Sequence, residues 1–163
     1  MNIIFLDIDG VITSHRVLLA QDSNREDKTF DNAWDLVAIG ALNKWCSDFN
    51  AKIVISSTWR MRGPLCLTQL TAMGLNTSCI FHEDPFTPVM GTGTRADEIT
   101  RWLMKRWHKM RNFIVLDDDD DGLSAQFGER FIRCDTYNGL TFDAMRRATT
   151  ILAKYLTNVT REP

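Results

Sequence analysis

Short apolar runs alternate along the chain with longer segments in which apolar residues recur every three or four positions. The short runs are rich in β-branched and aromatic residues, which is typical of buried parallel strands. They predict strands at residues 3–6, 53–55, about 79–81, 113–116 and 131–134. Helical spacing is found in three sets of residues: Ile39, Leu42, Cys46 and Phe49; Ile99, Trp102, Leu103 and Trp107; and Met145, Ala148, Leu152 and Tyr155. This alternation predicts an α/β fold, a layered sandwich around a central parallel sheet.

One segment interrupts the alternation. Residues 11–30 lie between the first strand and a helix predicted to begin near Asp31, and they end in the polar run 21–29. Loops of this length inside a compact domain are usually functional or mobile. We therefore interpret residues 11–30 as a flap over a site at the end of the first strand.

The size and composition of the chain are those of an ordinary globular domain. Its 163 residues are close to the rough prior of about 150 residues for one domain. We expect a single domain over residues 1–157 and a C-terminal tail at 158–163. The 19 basic and 21 acidic residues give a net charge of −2, which indicates no partner by itself.

The cysteines and the apolar runs exclude further classes of protein. The four cysteines lie far apart without C-x-x-C spacing, so they favour reduced thiols over a zinc site or a redox dithiol. No stretch approaches the length of a membrane span, and no basic segment precedes the first apolar run. We expect a cytoplasmic protein with no membrane partner.

Polar side chains follow three of the predicted strands. In open parallel sheets, ligands bind beyond the carboxyl ends of the strands. Carboxylates from two strands and hydroxyl groups from a third would therefore converge on one crevice. The three stretches are Asp7-Ile8-Asp9-Gly10, Ser56-Ser57-Thr58-Trp59-Arg60, and Asp117 to Asp121 followed by Gly122.

A crevice with several carboxylates indicates a bound cation. The carboxylates would repel one another and take up protons unless a cation offset their charge. Hard oxygen ligands favour Mg²⁺ over softer metals, and Mg²⁺ commonly binds through one or two carboxylates together with a substrate phosphate. The sequence therefore predicts a magnesium site and phosphoryl chemistry. A carboxylate beside such a metal can also act as a nucleophile.

These stretches resemble the motifs of the haloacid dehalogenase (HAD) superfamily of phosphohydrolases. An apolar strand followed by D-x-D-G is the first motif, and a strand ending in Ser is the second. A basic residue at a helix start and a pair of acids after a strand are the third and fourth. In this sequence they are residues 5–11, residues 54–57, Arg95 and residues 116–118. The strings I-S-S-T-W-R, T-R-A-D-E-I-x-x-W-L and L-D-D-D look most like small phosphatase domains associated with RNA repair and polynucleotide 3′-phosphatases.

The resemblance implies a fold and catalytic roles. The fold would be a Rossmann-like three-layer sandwich with a short flap in place of a large cap domain. Asp7 would be the nucleophile that takes the phosphoryl group, and Asp9 would be the general acid and base. Ser56 would donate a hydrogen bond to a phosphoryl oxygen. Arg95 would offset the charge of the phosphorylated intermediate, because its guanidinium suits phosphate.

The resemblance also implies the metal ligands. The carboxylates of Asp7 and Asp118 and the main-chain oxygen of Asp9 would hold Mg²⁺. Asp117 is the alternative to Asp118, because the acidic run lets the register of this motif slide. The remaining acids, residues 119–121, favour a solvated turn.

Three residues after the second strand are predicted to contact the substrate. They are Ser57, Trp59 and Arg60. Either Ser57 or its neighbour Ser56 could instead end the strand by bonding to the backbone. Trp59 could belong to the core or could stack beside the substrate. Arg60 could hold a second phosphate or a ribose.

Arg95 has a competing interpretation. It lies in residues 91–96, which match the dinucleotide fingerprint G-x-G-x-x-A. That fingerprint must follow a strand directly, and Pro85 and Pro88 break the preceding stretch. A helix N-terminus that carries an arginine suits a phosphate under either interpretation.

The sequence thus predicts a Mg²⁺-dependent phosphatase that acts through an aspartyl-phosphate. A short flap would leave a crevice open to a nucleotide or to the phosphorylated end of a nucleic acid, so the enzyme would be a nucleotidase or a polynucleotide phosphatase. The alternative is a non-catalytic module that binds phosphate or nucleic acid on the same fold. Asp9 discriminates between the two, because only a phosphatase needs an acid and base there.

Overall fold

The computed structural model describes residues 1–21 and 32–154. The strands are Asn2–Leu6 (β1), Ala51–Ile55 (β2), Asn112–Asp117 (β3) and Phe131–Arg133 (β4). The helices are His15–Ala20 (α1), Leu36–Asp48 (α2), Pro64–Ala72 (α3), Arg95–Arg106 (α4), Leu123–Phe127 (α5) and Phe142–Ala153 (α6). The four strands pair in parallel in the order β2-β1-β3-β4.

Helices cover both faces of this sheet. Side chains alternate along a strand, so Ile4 and Leu6 of β1 point to one face while Ile3 and Phe5 point to the other. The first face packs against α2, α3 and α6, and the second packs against α4 and α5. The predicted three-layer α/β sandwich around a parallel sheet is therefore confirmed.

The strand predicted at about residues 79–81 is wrong. A 3₁₀ turn, Thr77–Cys79, occupies its start. The chain beyond it touches β2 only at two isolated bridges, Ile53 with Ile80 and Ile55 with Phe86. A turn at residues 82–84 separates these two points, so no continuous ladder of hydrogen bonds forms.

The helix predicted to begin near Asp31 begins at Leu36. Asp35 caps it, because its Oδ1 accepts hydrogen bonds from the amides of Val37 and Ala38. Asp31 and most of the predicted flap, residues 22–30, lie outside the described residues. Within residues 11–21 the structure has α1 where the sequence predicted a loop.

Two further helices were not predicted. α3 begins at a proline after Gly63 and buries only Cys66 and Leu70, so its apolar stripe is short. α5 has five residues, too few to show a period. Within residues 1–21 and 32–154, no helix is both long enough and apolar enough to cross a membrane.

Candidate active site

Three aspartates meet at the carboxyl end of the sheet. β1 and β3 are neighbours with Leu6 opposite Leu116, so the residues that follow both positions, Asp7 and Asp117, lie side by side. The Asp7 amide donates to the Leu116 carbonyl at 2.9 Å. One carboxylate oxygen each from Asp7, Asp117 and Asp118 lies within 4.8 Å of the others. The acids predicted from two separate strands therefore form one cluster.

Gly10 makes room for the third acid of the cluster. Its φ is +70°, which L side chains rarely adopt, and a Cβ there would lie 2.2 Å from Asp118 Oδ2. The same oxygen accepts a hydrogen bond from Thr136 Oγ1 at 2.7 Å. The glycine of the D-x-D-G motif thus permits a close approach that no other residue would allow.

Burial disfavours charge on two of these acids. Asp7 and Asp117 are only 7% and 3% exposed. Burial raises the pKa of Asp7 to about 6, against the opposing effects of Arg95 and of a hydrogen bond with the Ser57 side chain. Burial, and then the charge of Asp7, raise the pKa of Asp117 to about 8. A divalent cation would relieve this repulsion, and an all-oxygen donor set fits Mg²⁺.

Arg95 faces the cluster from the first turn of α4. Thr94 caps this helix in a reciprocal pair with Asp97, which fixes where Arg95 leaves the backbone. Arg95 Nη1 lies 3.6 Å from Asp7 Oδ1. That nitrogen is buried and has no hydrogen-bond partner among the described residues. A buried guanidinium nitrogen without an acceptor, next to Asp7, is suited to meet a phosphoryl oxygen.

The two serines after β2 have different surroundings. Both are fully buried. The Ser56 amide donates to the Leu6 carbonyl at 2.8 Å, and its hydroxyl accepts from Thr87 Oγ1 at 3.5 Å. The Ser57 hydroxyl accepts from the Trp59 amide at 3.4 Å, and its side chain is near enough to Asp7 to oppose the rise in the pKa of that carboxyl. The structure therefore brings Ser57, rather than Ser56, against the aspartate that follows β1.

Trp59 contacts Asp9 directly. It is 3% exposed, and its Nε1 donates to Asp9 Oδ2 at 2.9 Å. Thr13 Oγ1 donates to the other oxygen, Oδ1, at 3.2 Å. The Asp9 carboxylate does not belong to the acidic cluster found among the described residues, which agrees with a sequence prediction that assigns only the main-chain oxygen of Asp9 to the metal. Its two oxygens are instead held by two side-chain donors.

Arg60 forms a buried ion pair with Glu98. Its Nη2 donates to Glu98 Oε2 at 2.7 Å, and its Nη1 donates to the Ser57 carbonyl at 3.0 Å. The two charged side chains are 8% and 10% exposed. Glu98 lies three positions after Arg95, on the same side of α4. Arg60 thereby fastens the turn after β2 to the helix that carries Arg95.

Sequence reasoning missed Thr13, Glu98 and Thr136. Glu98 could have been predicted from the sequence, because its i, i+3 spacing from Arg95 places both residues on one helix face. Thr13 and Thr136 gave no signal, since threonines in loops are common and their partners lie on other elements.

A family model described as the HAD domain in Swiss Army Knife RNA repair proteins matches residues 3–145. The match covers most of the chain and includes every residue of the site described above. It confirms the resemblance carried by the four motifs. Searches of curated proteins and of solved structures each found no significant match.

Proposed function

The chain belongs to the family of HAD domains found in Swiss Army Knife RNA repair proteins, and we propose that it is a Mg²⁺-dependent phosphomonoesterase acting on a nucleotide or on the terminal phosphate of a nucleic acid. The observation that carries this proposal is the surroundings of Asp7. This buried carboxylate has two further carboxylates within 4.8 Å, and 3.6 Å away lies an arginine nitrogen that forms no hydrogen bond among the described residues. Such a site supplies a nucleophile, a place for a cation and a positive group for the phosphoryl oxygens.

The carboxylates of Asp7, Asp117 and Asp118, together with the main-chain oxygen of Asp9, would hold the Mg²⁺. When bound, the cation would offset their charge and draw negative charge from the phosphoryl oxygens. Both acids after β3 lie in the cluster. We therefore include Asp117 and Asp118 together instead of choosing between them.

We propose that the reaction has two steps. In the first, an Asp7 oxygen attacks phosphorus while Asp9 gives its proton to the departing ester oxygen, so the ester P–O bond breaks and an aspartyl-phosphate forms. In the second, Asp9 takes a proton from water as the water oxygen attacks phosphorus. The bond between phosphorus and Asp7 breaks, releasing inorganic phosphate. Arg95 would offset the phosphoryl charge in both steps.

The geometry changes the roles expected of the residues after β2. We assign the phosphoryl contact to Ser57, because its hydroxyl lies at Asp7. Ser56 would secure the end of the strand through its amide. Trp59 and Arg60 were expected to touch the substrate, yet their polar groups bond to Asp9 and to Glu98. We propose that both are positioning residues.

We also propose a single catalytic domain with a flap. Residues 1–157 would form one catalytic domain and residues 11–30 a flap beside the crevice. The tail expected at residues 158–163 lies outside the described residues. The described part of that flap is tied to the site, because Thr13 bonds to Asp9 and the Leu140 amide donates to the Val11 carbonyl at 2.9 Å.

Hydrolysis of p-nitrophenyl phosphate tests the function. The purified protein should release p-nitrophenol with Mg²⁺ and lose this activity with EDTA. Asp7→Asn should lose it as well, whereas Asp143→Asn, an exposed position on α6, should retain it. Binding of phosphorylated oligonucleotides without any hydrolysis would favour the non-catalytic alternative, and activity that persists in Asp7→Asn would contradict the assigned nucleophile.

A further inference from the structure

An exposed aromatic ring belongs to a loop that contacts the acidic cluster. Tyr137 is 68% exposed and belongs to the loop between β4 and α6. β4 runs parallel to β1 and β3, so this loop leaves the sheet at the edge where Asp7 and Asp118 lie. The preceding residue, Thr136, bonds to Asp118 Oδ2. Tyr137 therefore directly follows a residue that contacts Asp118, one of the proposed metal ligands.

The backbone around this ring is held on several sides. Asp135 Oδ1 accepts hydrogen bonds from the amides of Tyr137 and Asn138 at 2.9 and 2.8 Å. The carbonyl of Tyr137 accepts from the Arg16 amide at 2.8 Å. The loop is thus bonded both to itself and to the described part of the segment predicted as a flap. Because these hydrogen bonds already order the loop, little backbone conformational entropy is lost when a ligand contacts the Tyr137 ring.

One neighbour of this ring is also aromatic. The rings of His15 and Tyr137 have their centroids 4.9 Å apart and are tilted by 34°. His15 Nδ1 lies 3.3 Å from the Thr136 carbonyl, which ties the imidazole to the same loop. His15 therefore supports the tyrosine ring, while most of the tyrosine surface faces solvent.

We propose that Tyr137, supported by His15, is the stacking surface for the nucleobase of the substrate. This inference rests on the proposed function, because the acidic cluster would hold the phosphate of the same nucleotide. Unpaired bases of RNA are commonly recognised by stacking on aromatic side chains. A stacking role for Trp59 was one of two alternatives that the sequence left open, but the Trp59 ring is buried and its Nε1 donates to Asp9. Tyr137 is largely exposed and lies in the loop whose Thr136 contacts Asp118.

The test compares substrates with and without a base. For adenosine 3′- and 5′-monophosphates, Tyr137→Ala should raise KM about tenfold, as expected for the loss of one base stack, and should change kcat less than twofold. For ribose 5-phosphate, KM should stay within twofold. Tyr137→Phe should behave like the wild type. Trp107→Ala removes an exposed ring near the amino end of β3 and should change no parameter.

Oligonucleotide binding to the inactive Asp7→Asn variant tests the stacking surface independently of the proposed phosphatase activity. A 3′-phosphorylated oligoribonucleotide should bind about tenfold more weakly when Tyr137→Ala is added, while the same oligonucleotide with an abasic terminal residue should bind equally to both proteins. If the wild type hydrolyses no phosphomonoester but this difference in binding persists, the proposed function fails and the stacking surface stands. Equal losses for the base-containing and abasic ligands, or no loss for either, would overturn the inference.

Discussion

The indole Nε1 of Trp59 donates a hydrogen bond to Asp9 Oδ2 at 2.9 Å, joining the turn after β2 to the loop after β1. The ring that carries this nitrogen is fixed by its neighbours. Trp34 meets it edge to face with centroids 5.3 Å apart, and the Arg62 guanidinium lies 3.8 Å from its centroid. The donor is therefore held in place, and it restricts the orientation of the residue proposed as general acid and base.

Trp59→Phe should impair proton transfer and also lower stability, because the smaller phenyl ring fills only part of the space of the indole and lacks its N–H. We expect kcat to fall about tenfold on alkyl phosphates, a modest share of the 10²–10⁴-fold contribution typical of general acid–base catalysis. On p-nitrophenyl phosphate the fall should be smaller, because this leaving group needs less protonation. Steady-state kinetics on both substrates, with thermal melts of both proteins, measure the effect. An equal loss on both substrates would contradict a role in positioning Asp9.

Gly10→Ala should damage the metal site as well as stability. The positive φ alone costs about 1–2 kcal/mol for a residue with a Cβ. The added carbon would also collide with Asp118 Oδ2, since the ideal position is 2.2 Å away. We expect a larger loss in the free energy of unfolding than the φ cost alone. The Mg²⁺ concentration needed for half-maximal activity should also rise.

Gly128→Ala is the matched control for Gly10→Ala. Its φ is +55°, and nothing lies within 4 Å of the added Cβ. Its ψ of −125° together with this φ is a conformation that L residues rarely adopt, so it should lose about 1–3 kcal/mol and should leave the Mg²⁺ dependence unchanged. Urea unfolding and Mg²⁺ titration of activity measure both variants. Equal behaviour of the two would show that Asp118 does not need the space at Gly10.

The acidic cluster was predictable from the sequence because its geometry follows from the topology. Asp7 and Asp117 each end a buried apolar strand, and neighbouring parallel strands bring such ends together. The contacts of Trp59 were not predictable, because they depend on how a 3₁₀ turn, Thr58–Arg62, directs its side chains. Its partner Asp9 lies 50 positions away in the sequence. The residue types indicated a phosphoryl-transfer site at this edge of the sheet. Only the fold distinguishes side chains that can face a substrate from side chains that orient those substrate-facing groups.

The same reasoning explains the single wrong strand. Residues 79–81 are apolar enough for a strand, and Phe81 does donate its amide to the Ile53 carbonyl at 3.0 Å. The turn at residues 82–84 then carries the chain away from β2 before a second consecutive pair forms. The hydrophobic pattern of a segment predicts that it is buried, but it does not predict whether a neighbouring strand pairs with the segment along its length.

The buried pair of Arg60 and Glu98 should show strong coupling in stability. Glu98→Gln would leave the Arg60 guanidinium buried without its carboxylate, and Arg60→Met would leave the Glu98 carboxylate buried without its cation. Each should lower the free energy of unfolding by about 3–5 kcal/mol. The double variant should lose clearly less than the sum of the two, because it removes both charges. Urea unfolding of the four proteins measures this cycle, and additive losses would mean that the two charges do not stabilise each other.

The raised pKa values of Asp7 and Asp117 predict that Mg²⁺ stabilises the protein more at high pH. Both exceed the ordinary aspartate value of 3.8, at about 6 and about 8 without metal. Between the ordinary and the raised pKa, the folded metal-free protein holds protons that the unfolded chain has released, so its stability falls as pH rises through this window. Bound Mg²⁺ would replace those protons. The Mg²⁺-induced rise in Tm should therefore be larger at about pH 8 than at about pH 5.

Asp117→Asn tests the origin of this effect. The amide cannot ionise, so the metal-free variant should lose less stability than the wild type between about pH 5 and pH 8, and Mg²⁺ should raise its Tm less at the higher pH. Asp143→Asn, on the exposed surface of α6, should keep the wild-type pH dependence. Thermal melts of the three proteins, each with EDTA and with Mg²⁺ at both pH values, supply every comparison. A Mg²⁺ effect that is the same at both pH values would mean that the cation does not replace protons on the acids of this cluster.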